Sequence, residues 1–115
     1  MIKVLVFIRR LPHLSREAFI RYYEDHHVPL AERLLGRYYG YRRIYLTDGL
    51  YPEGVTSDFD VVTELTFESE AVYDRWLGDL ADPEIIRQIR EDERHFLDSS
   101  YTRMWRVEDH VSPMR

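Results

Sequence analysis

The chain has 115 residues and a formal net charge of −5, enough for one domain and short for two. It contains no cysteine, which excludes disulfides, thiol nucleophiles and thiolate metal sites together. The acidic balance, with arginines and carboxylates interspersed along the chain, argues against a nucleic-acid partner, which calls for a basic surplus or stripe.

The start, "MIKVLVFIRR", has an apolar run too short for a secretory signal, and no segment approaches the ~20 apolar residues of a membrane span. A cytoplasmic protein without membrane partners is expected. Residues 2–9 read as a strand of β-branched and aromatic residues. Ser15 is an N-cap for a helix whose stripe is Phe19, Tyr22, Tyr23, His26 and Leu30. Pro29 removes a backbone donor and is expected to kink or restart that helix, which resumes through "LAERLL" and stops at Gly36. Residues 41–48 and 59–67 read as strands around the turn-rich "LYPEGVTS". Ser69 caps a short helix, and Asp82-Pro83 starts another with Ile85, Ile86, Ile89 and Phe96 on its apolar face. The last strand is expected at 101–108.

The order β-α-β-β-α-β predicts an α+β, ferredoxin-like fold with a four-stranded antiparallel sheet covered by helices on one face, as a single domain over 1–115. Alternation places Ile2, Val4, Val6, Ile8, Ile44, Leu46, Val61, Leu65 and Phe67 under the helices. The opposite face is expected to carry Leu5, Phe7, Tyr41, Tyr45 and Val62, with Lys3, Arg9, Arg43, Asp60 and Glu64 among them. So much apolar area on a bare sheet face marks a partner or a ligand, and a homodimer with two sheets facing across a two-fold axis covers it most simply.

In "YYEDHHVPL" (22–30) helical spacing turns His26 towards the stripe. Adjacent histidines point apart on a helix and no His-x-x-x-His spacing exists, so no metal site is expected. His95 and His110 are available as haem axial ligands, but no motif favours haem. There is no phosphate loop, dinucleotide fingerprint or nucleophile elbow. Asp92 and Glu93 lie in "REDER", which reads as a solvated acidic turn; the alternative is that they orient a histidine or accept a proton.

"LSREAFIRYYEDHHVPL", "FDVVTELTF" and "EDERHFLD" together resemble the EthD family. The most specific parts are Phe19-x-x-Tyr22-Tyr23 followed by His27-x-Pro29-Leu30, and Asp92-Glu93 leading into Phe96-Leu97-Asp98. The resemblance implies a dimeric α+β barrel and moves the catalytic role to His27. It implies a cofactor-free enzyme acting on a hydrophobic cyclic or aromatic, polyketide-like compound by dehydration, cyclisation, isomerisation or oxygenation. Tyr22, Tyr23, His26, Phe7, Arg9, Arg43 and Tyr45 are then expected to contact the substrate. The alternative is a non-catalytic, hydrophobic-ligand-binding or accessory dimer. Fold-level likeness alone selects no single chemistry.

Overall fold

A computed structural model describes residues 1–113 of the chain. The elements are β1 (Ile2–Ile8), α1 (Arg16–Tyr22), a π-helical turn (Tyr23–His27), α2 (Val28–Leu35), β2 (Gly40–Tyr45), β3 (Val61–Phe67), α3 (Glu70–Leu80), α4 (Pro83–Glu93), a 3₁₀ turn (Ser99–Tyr101) and β4 (Arg103–Val107). The sheet is antiparallel in the order β2-β3-β1-β4, the expected ferredoxin-like arrangement. Among the described residues no helix is long and apolar enough to cross a membrane.

The local signals act where they stand in the sequence. The Ser15 hydroxyl accepts from Ala18 N–H, and Ser69 accepts from Val72 N–H. Asp82 accepts from the amides of Glu84 and Ile85, with Pro83 at the first helical position, so donors that open a helix unpaired are satisfied. The second helical region is broken between Leu80 and Pro83, as expected. The first is not broken at Pro29. Its irregularity precedes the proline, and Val28 N–H bonds to the Tyr23 carbonyl five residues back. Proline lacks an N–H and its ring crowds the carbonyl four residues earlier. A widened π turn absorbs that interruption without ending the helix.

The sheet register sets which side chains meet the helices. Val4 pairs with Leu65, which pairs with Tyr41; Val6 pairs with Thr63, then Arg43; Ile8 pairs with Val61, then Tyr45. These rows lie under the helices. Tyr41, Arg43 and Tyr45 are therefore on the covered face, against expectation, and Ile44 and Leu46 are exposed. The reason is the company they keep. Tyr41 packs on the rings of Tyr38 and Tyr23, and Arg43 and Tyr45 both bond to Glu24 of the π turn. Side chains with apolar bodies and polar tips can be buried when the tips are paired. The bare face keeps Leu5, Phe7, Val62, Ile44 and Trp105, with Lys3 paired to Glu64 at 2.7 Å.

Two clusters form the core on the covered face. One joins Ile8, Phe19, Tyr23, Val28, Val61, Phe96 and Leu97; the other joins Val4, Leu35, Leu65, Phe67, Trp76 and Ile89. Phe96 lies beyond α4 rather than on it, in the turn that follows, and is fully buried. Removing the cap by Asp82→Ala is expected to cost about 1 kcal/mol. Phe96→Ala is expected to cost roughly 3–5 kcal/mol. Urea unfolding followed by tryptophan fluorescence measures both.

Candidate functional site

The π turn decides which histidine enters the molecule. Each α-helical residue advances about 100°, so one extra residue in a turn rotates everything after it by about that angle. The buried positions accordingly run Phe19, Tyr23, His27, Val28, Ala31 and Leu35, and His26 is exposed. His27 is only 7% exposed. Its ring packs on Phe96 at 4.8 Å between centroids and meets Tyr23 edge-on at 5.6 Å.

Across from it, α4 carries Ile85 and Ile89 on its inner face. Asp92 and Glu93 fall three and four residues after Ile89, on the same side. The Asp92 carboxylate takes two hydrogen bonds. His27 Nδ1 lies 2.8 Å from Oδ2, and the Tyr22 hydroxyl donates to Oδ1 at 2.6 Å. The acidic run is thus solvated only in part, and Asp92 orients a histidine. Burial lowers the His27 pKa below its usual 6.5, with the bond and charge of Asp92 opposing the shift. At neutral pH the ring is uncharged. With Nδ1–H donating to Asp92, the lone pair is on Nε2, which has no hydrogen bond among the described residues. Burial and the Asp92 contact push the Tyr22 hydroxyl up to about 12, so it stays a donor.

His27 lines a cavity of about 90 Å³ at the seam of the two core clusters, with walls that include Val6, Ile8, Tyr23, Leu35, Tyr38, Tyr41, Thr63, Leu65, Trp76, Ile89 and Glu93. Met104, 48% exposed, also borders it and marks its mouth on the β4 side. Burial, with Asp92 adding to it and Arg90 opposing, pushes Glu93 up to about 7. On the wall formed by the sheet, the hydroxyls of Tyr23 and Thr63 are 2.7 Å apart, and Tyr41 donates to Tyr23 at 3.0 Å. A larger depression of about 550 Å³ is bordered by Arg10, Arg16, Tyr45 and the segment 46–60. It contains neither His27 nor Asp92, and Arg10 there is paired with Asp60. The smaller cavity is lined by His27 and Glu93, while Asp92, which holds the His27 ring, borders a separate surface depression with His95.

The expected site residues divide accordingly. His27 and Tyr23 line the cavity. Tyr22 does not line it but bonds to Asp92, the partner of His27, with its ring held between His26, His95 and Phe96. Arg43 and Tyr45 support it from behind, both fixed on Glu24 at 2.5–3.0 Å. Phe7 and Arg9 are not brought to it. Phe7 lies on the bare sheet face against Phe59, and the Arg9 guanidinium stacks 4.1 Å over the Tyr101 ring. Tyr38, Tyr41, Thr63 and Trp76 were not among the expected contacts. Trp76 is detectable as the centre of the Val72–Trp76–Leu80 spacing on α3. Thr63 carries no sequence signal. Among the described residues no group of three or more His, Asp or Glu side chains is placed to hold a metal ion.

The family model for the EthD domain matches residues 11–100. No curated protein matches the chain. Solved structures that share its fold include three from different organisms. An ethyl tert-butyl ether degradation (EthD) family protein from Bacillus halodurans is 16% identical, with a TM-score of 0.66 over 96% of this chain and 100% of that one. A hypothetical protein of Arabidopsis thaliana is 13% identical, with a TM-score of 0.62 over 98% and 91%. HapK from Hahella chejuensis is 11% identical, with a TM-score of 0.62 over 100% and 98%. At these identities the likeness speaks for the fold alone.

His27 and Glu93, both in the cavity wall, act on stability in opposite directions. Glu93 binds its proton more tightly folded than unfolded, so its contribution is full below about 4.5 and is lost as pH rises to about 7. His27 binds its proton less tightly folded, so its contribution is full above 6.5 and is lost as pH falls below that value. Glu93→Gln is therefore expected to stabilise the protein at pH 8 by on the order of 2 kcal/mol and to change little at pH 4. Urea midpoints at the two pH values check this.

Proposed function

The chain belongs to the EthD family, and from that premise we propose that it is an enzyme that moves a proton on a hydrophobic, cyclic or aromatic small molecule, with His27 as the acid/base. One observation carries this reading: a buried, neutral imidazole lines a cavity while its Nδ1 is held 2.8 Å from a carboxylate. A carboxylate in that position fixes the tautomer and ring orientation and stabilises the imidazolium formed on accepting a proton. The other ring nitrogen is left to act on a substrate. Proton transfer of this kind serves a dehydration, a cyclisation or an isomerisation, and needs only protonatable side chains.

The cavity limits the substrate. About 90 Å³ is well below the roughly 300–1,000 Å³ of sites that enclose drug-sized ligands. A small ring enters whole, or a longer polyketide-like molecule inserts its reacting end and leaves the remainder at the mouth beside Met104. Tyr23 and Tyr41 contact the inserted part. Tyr22 positions Asp92 rather than touching substrate, and Arg43 and Tyr45 hold the π turn through Glu24.

The reading includes a homodimer, in the cytoplasm, formed through the bare sheet face. Trp105 is 62% exposed there, next to Leu5 in the register, with Phe7, Val62 and Ile44 in the adjoining row. Contiguous apolar area of this kind is normally covered.

Native mass spectrometry of freshly purified protein is expected to report a dimer together with any co-purified small molecule. Trp105→Asp is expected to yield a folded monomer at micromolar concentration, and an unchanged dimer would move the interface elsewhere. On a substrate so identified, His27→Ala and Asp92→Asn are each expected to lower kcat/KM roughly 10²–10⁴-fold. The wild-type value is expected to fall as pH drops through the lowered His27 pKa, because a protonated ring accepts nothing. Full activity in His27→Ala would end the assignment, and ligand binding flat in pH without turnover would favour a non-catalytic binding protein.

A further inference from the structure

Alternation along β4 puts Met104 and Arg106 on the covered side of the sheet, opposite Val6 and Val4 of β1. The two are held differently. Arg106 is bonded to Glu70 and stacks 5.0 Å over the Tyr73 ring, both on α3. Met104 is left 48% exposed. Thr63, Val6 and Met104 form one row across β3, β1 and β4, and all three line the cavity of His27. Along that row exposure climbs from 2% at Thr63, through partly buried Val6, to Met104. The row is a floor that runs from the interior to the surface. Of the described residues in the cavity wall, Met104 alone is exposed.

Glu93 offers a second way in, because it also borders a surface depression of about 140 Å³ with Arg90, Arg94, Leu97 and Ser99. The two routes differ in chemistry. A hydrophobic molecule passing Glu93 meets two guanidinium groups and a carboxyl and strips water from them, which is costly. Over Met104 it meets a thioether and methylenes. Methionine is unbranched, with three rotatable bonds, and its sulfur makes favourable contacts with aromatic rings. The side chain can swing aside and settle back on what has entered.

On the reading of this cavity as a ligand site, we propose that hydrophobic ligands enter across β4 over Met104, and that the Met104 side chain sets the largest ring system admitted. Ile8, Leu35, Leu65 and Ile89, deeper in the wall, belong to the two core clusters and cannot yield without losing close packing. Met104 can, because one side of it is solvent. Selection by ligand size therefore resides at this position rather than at His27.

Benzene and naphthalene are the probes, one fused ring apart. Their dissociation constants are read by NMR from the methyl groups of Ile8 and Ile89 in the wall. In the wild type, naphthalene is expected to shift the methyl resonance of Met104 and to leave that of Met1, 75% exposed just before β1, in place. Met104→Ala is expected to bind naphthalene about tenfold more tightly, with benzene changed by less than roughly threefold. Met104→Trp is expected to weaken naphthalene about tenfold. Arg90→Ala, at the other depression, is expected to leave both constants unchanged. Substitutions at positions this exposed rarely unfold a protein, and the Met104 resonance needs no variant. Turnover has no part in these readouts, so inactivity on every substrate would count against the proton-transfer reading alone. A Met104 resonance unmoved by bound naphthalene, a naphthalene-to-benzene ratio unchanged in both Met104 variants, a ratio that follows Arg90 instead, or no binding of either probe would overturn the proposal.

Discussion

One widened helical turn orders the rest of this molecule. Between Tyr23 and His27 the backbone bonds five residues apart instead of four, and the faces before and after it are out of phase by about one residue. Before the turn, Phe19 and Tyr23 point at the sheet. After it, the inward set is Val28, Ala31 and Leu35, with His27 at the junction. An uninterrupted α-helix would send His26 in and leave Asp92 without its imidazole. The turn itself is held from three sides. Pro29 disfavours regular α geometry ahead of it, Glu24 is tied to Arg43 and Tyr45 on β2, and Tyr22 is tied to Asp92 on α4.

Those ties explain why the covered face of the sheet departs from the simple apolar-inside pattern. Glu24 is held below the usual carboxylate range chiefly by its bonds to Arg43, with burial opposing and Tyr45 assisting. The pair is half-buried, and its worth lies in geometry more than in Coulomb energy, since desolvation offsets much of the attraction. Each polar tip under the helices is matched to a polar atom of the π turn or of β3. The matching breaks off at Trp76 and Tyr38. Their donor atoms are buried without a partner among the described residues, in the side chains that wall the small cavity together with His27 and Glu93.

Much of this was legible in the sequence because it rests on local signals. The Ser15, Ser69 and Asp82 caps and the alternation in β1 and β3 are short-range patterns, and together they set the fold. The exchange of His26 for His27 was not readable from periodicity, since a π turn changes the period itself; the His27-x-Pro29-Leu30 spacing carried that information through resemblance. The facing of β2 was misread because Ile44 is more apolar than Tyr41, Arg43 or Tyr45, and alternation assigns the more apolar set inward. What reversed it was the position of Glu24, which is fixed by tertiary structure. Asp92 and Glu93 lie in a charged run that favours a solvated turn over the histidine-orienting alternative, although their spacing from Ile85 and Ile89 continues the buried stripe.

The edge strand β4 connects the proposed interface to the proposed site. Successive strand residues face opposite sides, so Met104 borders the cavity while Trp105 lies on the bare face. Among the described residues β4 has a partner only on the β1 side, and exposed edge strands with few buried side chains are among the less restrained parts of a sheet. A second copy packed on Trp105 would restrain the backbone that also carries Met104, and with it the width of the mouth. A dimer formed there would do more than cover apolar area: it would help set the width of the mouth of a cavity whose walls are otherwise packed aromatic and aliphatic side chains.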